Sequence, residues 1–368
     1  MQMLHSLLLL LLLLTTEEGW GKPCMKIGIL GEFKTATGKT TSPFGIDIRN
    51  GVSLGIQRLK RSGEAVCFEP VEIDINNSIS NIPDLIRRAV TQDNVRLFLG
   101  LGTSDQALMA ADALRDTKSI LITPTASSEA LVGPAKREIM MFPRNSRIAE
   151  TMARESWRQG HRAVAIISAA NSKYSSDMAE NFALALKRQG GRIVEYISTH
   201  NADLDAADVE RIRVAKPDAI FMPLFELDVV RVLSLLDSSR YMPIIIGTDS
   251  WGNTSEIIRE MARNISFRAI LPRIYSTDLK TTENLSLMQL AKDAKRYKIG
   301  DLSAFSYEGV LLYNKMLKTC GGIEKVVGAP QDCLRKSLPF QATTGTIAST
   351  SFLSLNRPIQ IRTLVGRQ

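Results

Sequence analysis

The sequence predicts an α/β protein of two lobes, each built on a parallel sheet, and three observations carry that prediction. Apolar strand-like runs alternate with amphipathic helical stretches over most of the chain, the rhythm of a parallel sheet covered by helices on both faces. The series runs twice, first to about Thr123 and again from about Ala163 to Gly247, while the segments from Arg273 onward are too few for a third domain and must complete the first two. Length agrees: 368 residues at roughly 150 per domain give two domains. A chain that crosses several times between two such lobes forms a hinge, and the gap beside it faces both sets of strand ends.

Taken in order, the first segment is an address. Leu7 to Leu14 is an unbroken run of eight leucines, about 12 Å as a helix and too short for a hydrocarbon core of about 30 Å. The run suits the apolar part of an exported leader, with small residues at Gly19 and Gly21 before Lys22, so residues 1–21 read as a signal peptide although residues 1–6 carry no Lys or Arg. Cys24 follows Gly21-Lys22-Pro23, which is not the run of small and aliphatic residues that precedes a lipidated cysteine. The strands then fall at Met25 to Leu30, Val66 to Ile73, Leu97 to Gly100, Ser119 to Thr123, Ala163 to Ser168, Arg192 to Ile197, Ala219 to Pro223, Ile244 to Gly247 and Ala269 to Leu271. Helices are expected near Gly45 to Arg61, Ile82 to Gln92, Asp105 to Arg115, Ile148 to Gln159, Ser176 to Gln189, Asp205 to Ala215, Glu226 to Leu236, Ser255 to Met261 and Asn284 to Tyr297.

Composition excludes several classes. With 44% hydrophobic and 23% charged residues the chain has material for a large core and is neither disordered nor polytopic. Its net charge of +8 comes from 46 Lys and Arg interspersed with 38 Asp and Glu, with no basic run of the kind that binds nucleic acid. Three histidines and four cysteines, none in Cys-x-x-Cys spacing, call for no structural zinc or other cofactor. Export permits disulfides. Cys320 and Cys333 flank a turn-rich segment and are placed to staple two neighbouring helices, whereas Cys67, in a strand-like run, reads as a small core residue.

Ligands of open parallel sheets sit beyond the carboxyl ends of the strands, so the residues just after each strand are the ones to inspect. Gly38-Lys39-Thr40 follows the first strand, but six residues instead of four separate Gly31 from that pair, which is not phosphate-loop spacing. Gly100-Leu101-Gly102-Thr103-Ser104-Asp105-Gln106 ends a strand and opens a helix. Thr103 and Gln106 fit a capping box, and the same amide cluster and hydroxyls suit a ligand carboxylate, with Asp105 opposing a second negative charge. Thr123-Pro124-Thr125-Ala126-Ser127-Ser128-Glu129 is either a polar loop or part of the same anion site. In the other half, Asp249 after the strand Ile244 to Ile246 either caps the next segment or supplies the acid that an ammonium group requires. His161 and His200 lack a nucleophile and an orienting acid in any recognisable motif, and no Gly-x-Ser-x-Gly elbow occurs, so an enzyme is not expected.

In this arrangement the chain after residue 24 resembles the type 1 periplasmic binding proteins, in particular the leucine/isoleucine/valine-binding class of ABC-transporter receptors. The resemblance rests on Met25 to Leu30 with Phe44-Gly45 and Asn50-Gly51, on Gly100 to Asp105, on Ile120 to Pro124, on Pro217 to Phe221 and on Ile246 to Asp249. It implies two Rossmann-like lobes joined by a multi-crossover hinge, lobe one at 25–143 and 273–342 and lobe two at 144–272 and 343–368. It also implies that Ser104, Thr125, Ala126 and Ser127 receive a carboxylate, that Asp249 pairs with an ammonium, and that Tyr174 closes over the ligand. Phe225 stands where the family commonly has tyrosine, Phe44 walls the side-chain pocket, and Trp251 crowds it. Thr103 stands where the best-known members have a disulfide cysteine, so Cys67 is expected to lack that partner, and the loop carrying Lys34 and Lys39 departs from the family pattern. The implied function is a receptor outside the cytoplasm, in the periplasm, that binds a small amino acid-like zwitterion between its lobes and presents the closed form to a membrane permease. The alternative is a sensing module of the same fold coupled to a signalling partner.

Overall fold

The structure is a computed structural model and describes residues 24–33, 43–63, 66–75, 78–133, 136–251, 255–295, 298–351 and 353–366. The leader, Lys34, Lys39 and the Gly38-Lys39-Thr40 sequence lie outside the described residues. The first series of strands is β1 (Met25–Gly31), β2 (Phe68–Asp74), β3 (Leu97–Gly100), β4 (Ile120–Thr123) and β5 (Ile139–Met140). The second is β6 (Ala163–Ala169), β7 (Arg192–Thr199), β8 (Ala219–Phe221), β9 (Ile244–Ile246) and β10 (Arg268–Arg273). Near the C-terminus come β11 (Phe340–Ala342), β12 (Gly345–Ile347), β13 (Thr350–Ser351), β14 (Ser354–Leu355) and β15 (Gln360–Val365).

These strands form two main sheets, ordered β2-β1-β3-β4-β5-β14-β13 and β7-β6-β8-β9-β10-β15, while β11 and β12 pair as a hairpin. Pairing is parallel in both sheets except at the edges, where β13 and β15 run antiparallel to their neighbours. The central strands β3, β4 and β6 are buried along their whole length, which is why they read as continuous apolar runs instead of alternating ones. Helices cover both faces, as the strand-helix rhythm requires. The largest helix pair joins Asp301–Cys320 to Pro43–Arg61 in the first lobe. Gly51 permits this close approach, since a Cβ there would lie 2.2 Å from the Ser303 carbonyl oxygen.

The chain passes between lobes three times: after β5, after β10, and between β14 and β15. The sequence reading puts the last passage at 343, but residues 350–355 still extend the first sheet and only Gln360–Val365 joins the second. Two strands of two residues are too short to show a period. One buried network ties the passages together. Arg357, on the third, forms an ion pair with Glu308 in which both side chains have no exposure. Its Nε donates to the Met141 carbonyl on the first passage, and its guanidinium lies 4.3 Å from the Phe305 ring centroid. Glu308 also accepts from the Thr343 backbone N–H at 2.6 Å and from the Thr343 hydroxyl.

Two disulfides are present. Cys320–Cys333 staples the end of Asp301–Cys320 to the short helix Pro330–Lys336. Cys24–Cys67 corrects the reading of Cys67 as a core thiol: its side chain is exposed and bonded. The cause is register. Met25 of β1 lies opposite Phe68 of β2, so the residues one position earlier are brought to a Cα separation of 4.6 Å, within bridging range.

Candidate functional site

Each sheet has one point where the strand order reverses, between β1 and β3 in the first and between β6 and β8 in the second. The loops leaving these points face one another. On the first lobe, β3 ends at Gly100 with φ 143°, a conformation that favours glycine, and a Cβ there would lie 2.1 Å from the Leu30 carbonyl oxygen. That turn delivers Gly102, Thr103 and Ser104 to the gap. Thr103 caps the helix Ser104–Leu114, its hydroxyl accepting from the Gln106 N–H at 3.4 Å. The reciprocal half of the expected capping box is absent, because the Gln106 amide donates instead to Glu32 at 2.8 Å.

The hydroxyl loops are cross-linked before any ligand arrives. Ser104 Oγ accepts from the Ser127 and Ser128 N–H groups, both at 3.2 Å, and the Thr125 hydroxyl donates to the Gly102 carbonyl at 2.8 Å. The two amides expected to meet a carboxylate are therefore used within the lobe. Ser104 keeps its own proton to donate, and Ser127 Oγ is buried with no hydrogen-bond partner among the described residues. A buried hydroxyl without a partner is costly unless something meets it.

On the second lobe, Tyr174 lies at the start of the helix Lys173–Arg188. Its phenol oxygen sits 2.8 Å from Thr248 Oγ1 and 2.9 Å from Asp249 Oδ1. Thr248 and Ser250 hydroxyls are 2.9 Å apart, and Ser250 donates to the Leu224 carbonyl at 2.8 Å. Burial makes ionisation of Tyr174 unfavourable, and the neighbouring Asp249 carboxylate adds to that, so the phenol pKa is pushed well up and the group serves as a donor. Removal from bulk water likewise pushes Asp249 up to about 6, against the hydrogen bonds from Tyr174 and its own backbone. The Phe225 ring lies 5.4 Å from that of Tyr174.

Between these surfaces is a narrow cleft of about 50 Å³. Ser104, Thr125 and Ser127 line it from the first lobe, Tyr174, Phe225 and Asp249 from the second, and Phe44 contributes an apolar wall with Phe142 and Leu302. Two expected residues do not reach it. Ala126 packs its methyl into the first-lobe core beside residues such as Leu101 and Leu121, and Trp251 is fully buried in the second-lobe core, where its ring packs beneath Gly247. The short turn Asp249–Trp251 explains the latter, since it points Asp249 and Trp251 to different sides.

Phe142, Asp301 and Leu302 line the cleft and were not among the expected residues. Asp301, 7% exposed, opens the helix Asp301–Cys320 on the first lobe and faces the same cleft as Asp249. Burial, and then the Asp249 charge, push its pKa up to about 7 against the pull of Arg362, Arg273 and Arg357. Gly300 before it, an N-cap residue, was the available signal.

The lobes touch beside the cleft. Asp105, at the start of the helix Ser104–Leu114, accepts from the Lys173 N–H at 3.1 Å and from the Ser172 hydroxyl at 3.5 Å. Ser128 donates to Asp177 at 2.9 Å, and Asp177 in turn pairs with Lys173 at 2.5 Å. Asp105 therefore does not burden the anion site, as its place in the sequence suggests, but holds the opposite lobe.

The model of the family described as periplasmic binding protein matches residues 25–347. The chain belongs to that family. This binding protein has the same fold as the leucine-binding protein LivK of Thermotoga maritima, with 16% identity, a TM-score of 0.77, and 92% of this chain and 94% of that one covered. It is equally similar to LivJ of Streptococcus pneumoniae, a branched-chain amino acid transporter substrate-binding protein solved with isoleucine (17% identity, TM-score 0.78, coverage 94% and 100%). A solute-binding protein of an ABC transporter from Rhodopseudomonas palustris, solved with p-hydroxybenzoic acid, matches at 16% identity and a TM-score of 0.76, with 94% and 96% covered. No curated protein matches the binding protein in a sequence search. Membership places the family's members outside the cytoplasm. Among the described residues, no helix is long and apolar enough to cross a membrane.

Proposed function

We propose that this chain is the extracytoplasmic receptor of an ABC transporter, exported by its N-terminal leader, and that it binds a small amino acid or close analogue in the cleft and presents the closed form to a permease. The observation that carries the reading is the division of chemistry between the lobes. Hydroxyl donors at Ser104 and Ser127 suit a carboxylate, and the acid Asp249, steadied by Tyr174, suits an ammonium. Solved relatives of this fold hold both amino acids and hydroxybenzoates. The lining favours the former: Asp249, hydrogen-bonded by Tyr174, calls for an ammonium, which a hydroxybenzoate does not carry. Phe44 and Phe225 wall the ligand's side chain, Thr125 keeps the Gly102 loop in place, and Ala126 and Trp251 act as support behind the cleft.

Binding couples to closure because the ligand touches both lobes only when they meet, which gives it different affinities for the open and closed states. Mass spectrometry of small molecules released by denaturing the purified protein, followed by calorimetry with the identified compound, tests the assignment. Recovery of an amino acid is the expected result; recovery of a benzoate, or of no zwitterion among compounds that bind, overturns it.

A further inference from the structure

We propose that Thr248, buried behind the cleft, is a positioning residue that sets the protonation state of Asp249 through Tyr174. This deepens the amino-acid reading above, on which only its last step rests. Four contacts between oxygens run in one line from the second-lobe core to the cleft. Ser250 Oγ lies 2.8 Å from the Leu224 carbonyl oxygen, Thr248 Oγ1 2.9 Å from Ser250 Oγ, Tyr174 Oη 2.8 Å from Thr248 Oγ1, and Asp249 Oδ1 2.9 Å from Tyr174 Oη. Each contact needs one proton between its oxygens, and Ser250, Thr248 and Tyr174 bring one each. Leu224 offers only a carbonyl, so Ser250 donates to it, Thr248 donates to Ser250, and Tyr174 donates to Thr248. No hydroxyl proton is then left for the contact with Asp249. The missing one comes from Asp249 itself, as a carboxylic acid that donates to Tyr174. The Ser250 N–H points at the Tyr174 oxygen, at 3.4 Å, and does not serve that contact. Any further neighbour of Ser250 leaves the count unchanged, because its one hydroxyl proton is already spent on Leu224.

The ionised state costs the chain one of these bonds. When Asp249 is a carboxylate, Tyr174 donates to it, and one contact among Tyr174, Thr248, Ser250 and Leu224 goes without a proton. Tyr174 does not relieve this by ionising, since burial holds its phenol pKa well up. Among the described residues lining the cleft, Tyr174 and Asp301 are the other titratable groups. Asp301 faces Asp249 from the first lobe, its charge opposed to that of Asp249, with Arg362, Arg273 and Arg357 acting on its side of the pair. The hydroxyl chain contains none of these, which makes Thr248 a handle on Asp249 alone. An arriving ammonium stabilises the carboxylate, so Asp249 gives its proton to solvent as the ligand binds.

A pH titration of the ligand-free protein, carrying carbon-13 at its aspartate carboxyl groups and followed by NMR, tests the inference, with Asp249→Asn identifying the signal. Wild type should titrate Asp249 near its raised pKa of about 6. Thr248→Val keeps the side-chain shape and leaves Tyr174 to donate to the carboxylate, so the midpoint should fall by about one pH unit, whereas Thr248→Ser, which keeps the hydroxyl, should match wild type. Melting curves report whether each variant is folded. Should Thr248→Val not be, Ser250→Ala shortens the same chain and should lower the midpoint likewise. An unchanged or raised midpoint in the folded variant, or a wild-type midpoint in the ordinary carboxylate range, overturns the proposal while leaving the amino-acid reading intact. Recovery of a benzoate from the purified protein overturns that reading and leaves the outcome of the titration standing.

Discussion

Glu308 and Asp249 are two carboxylates placed in the interior of one fold, and their partners differ. Glu308 is at the hinge with Arg357, has no exposure, and has a cation, a hydroxyl and a backbone amide as partners. Asp249 is at the cleft, partly open to it, and its side-chain partner among the described residues is the neutral phenol of Tyr174. The first arrangement is complete without any other molecule. The second has no cation among its partners in the described residues, and burial away from water holds its pKa up near 6. A buried charge supplied with its counter-charge by the chain marks structure; one left waiting for it marks a binding site.

Breaking the hinge pair should have the largest effect. Glu308→Gln leaves Arg357 buried without its counter-charge, and a loss of about 3 to 5 kcal/mol in stability is expected, read as a lower denaturant midpoint at unchanged slope. Changing both members together, Glu308→Leu with Arg357→Met, should recover much of it; no recovery would mean that the contacts to Met141 and Thr343 matter more than the charges.

The opposite outcome is expected at the cleft. Asp249→Asn should weaken amino-acid binding by roughly thirtyfold or more, from about 2 to 5 kcal/mol for an unpaired partner, yet raise the melting temperature of the unliganded protein. The sign follows from linkage. A carboxyl whose folded pKa lies above its unfolded value of 3.8 binds its proton more tightly when folded, so its contribution to stability is present at low pH and is lost as pH rises through about 6. Unliganded protein should therefore melt higher at pH 5.5 than at pH 8, by less in Asp249→Asn, and scanning calorimetry reads both.

Ligand affinity has the reverse pH dependence. Below about pH 6 the free protein carries a protonated Asp249, so affinity for a neutral zwitterion should fall by up to about tenfold for each further pH unit. A flat profile between pH 5 and 8 would remove Asp249 from the ammonium site. The smallest effect belongs to the contacts beside the cleft. Asp105→Asn together with Asp177→Asn removes charge from the bonds to Ser172, Lys173 and Ser128 and touches no cleft-lining residue. A loss of about 1 kcal/mol, seen as an affinity about fivefold weaker with ligand selectivity unchanged, is expected from a weaker bias toward closure.

Much of the fold was legible because parallel strands buried on both faces leave unbroken apolar runs such as Ala163-Val164-Ala165-Ile166-Ile167, and their helices carry a polar face. The extent and start of the helix Asp301–Cys320 were not, because most of its length is buried, including Glu308, Asn314 and the two serines Ser303 and Ser306 on faces that a surface helix would turn outward. Missing its start hid Asp301. Ser104, Thr125, Ser127 and Asp249 were findable as polar residues just past apolar strands, whereas Ala126 and Trp251 show the limit of that rule, since neighbours in a tight loop point to opposite sides. The Cys24–Cys67 bridge depended on the register of β1 against β2, which no local pattern encodes.

The central claim is that one small molecule is held by its opposite poles, each on a different lobe. Calorimetry of the bound amino acid beside its deaminated and its decarboxylated analogues, on wild type and on Asp249→Asn, tests it directly. Wild type should lose affinity for both analogues, and Asp249→Asn should no longer distinguish the amino acid from the deaminated acid while still rejecting the amine. An Asp249→Asn protein that continues to prefer the amino acid over its deaminated analogue by the wild-type factor would contradict the account.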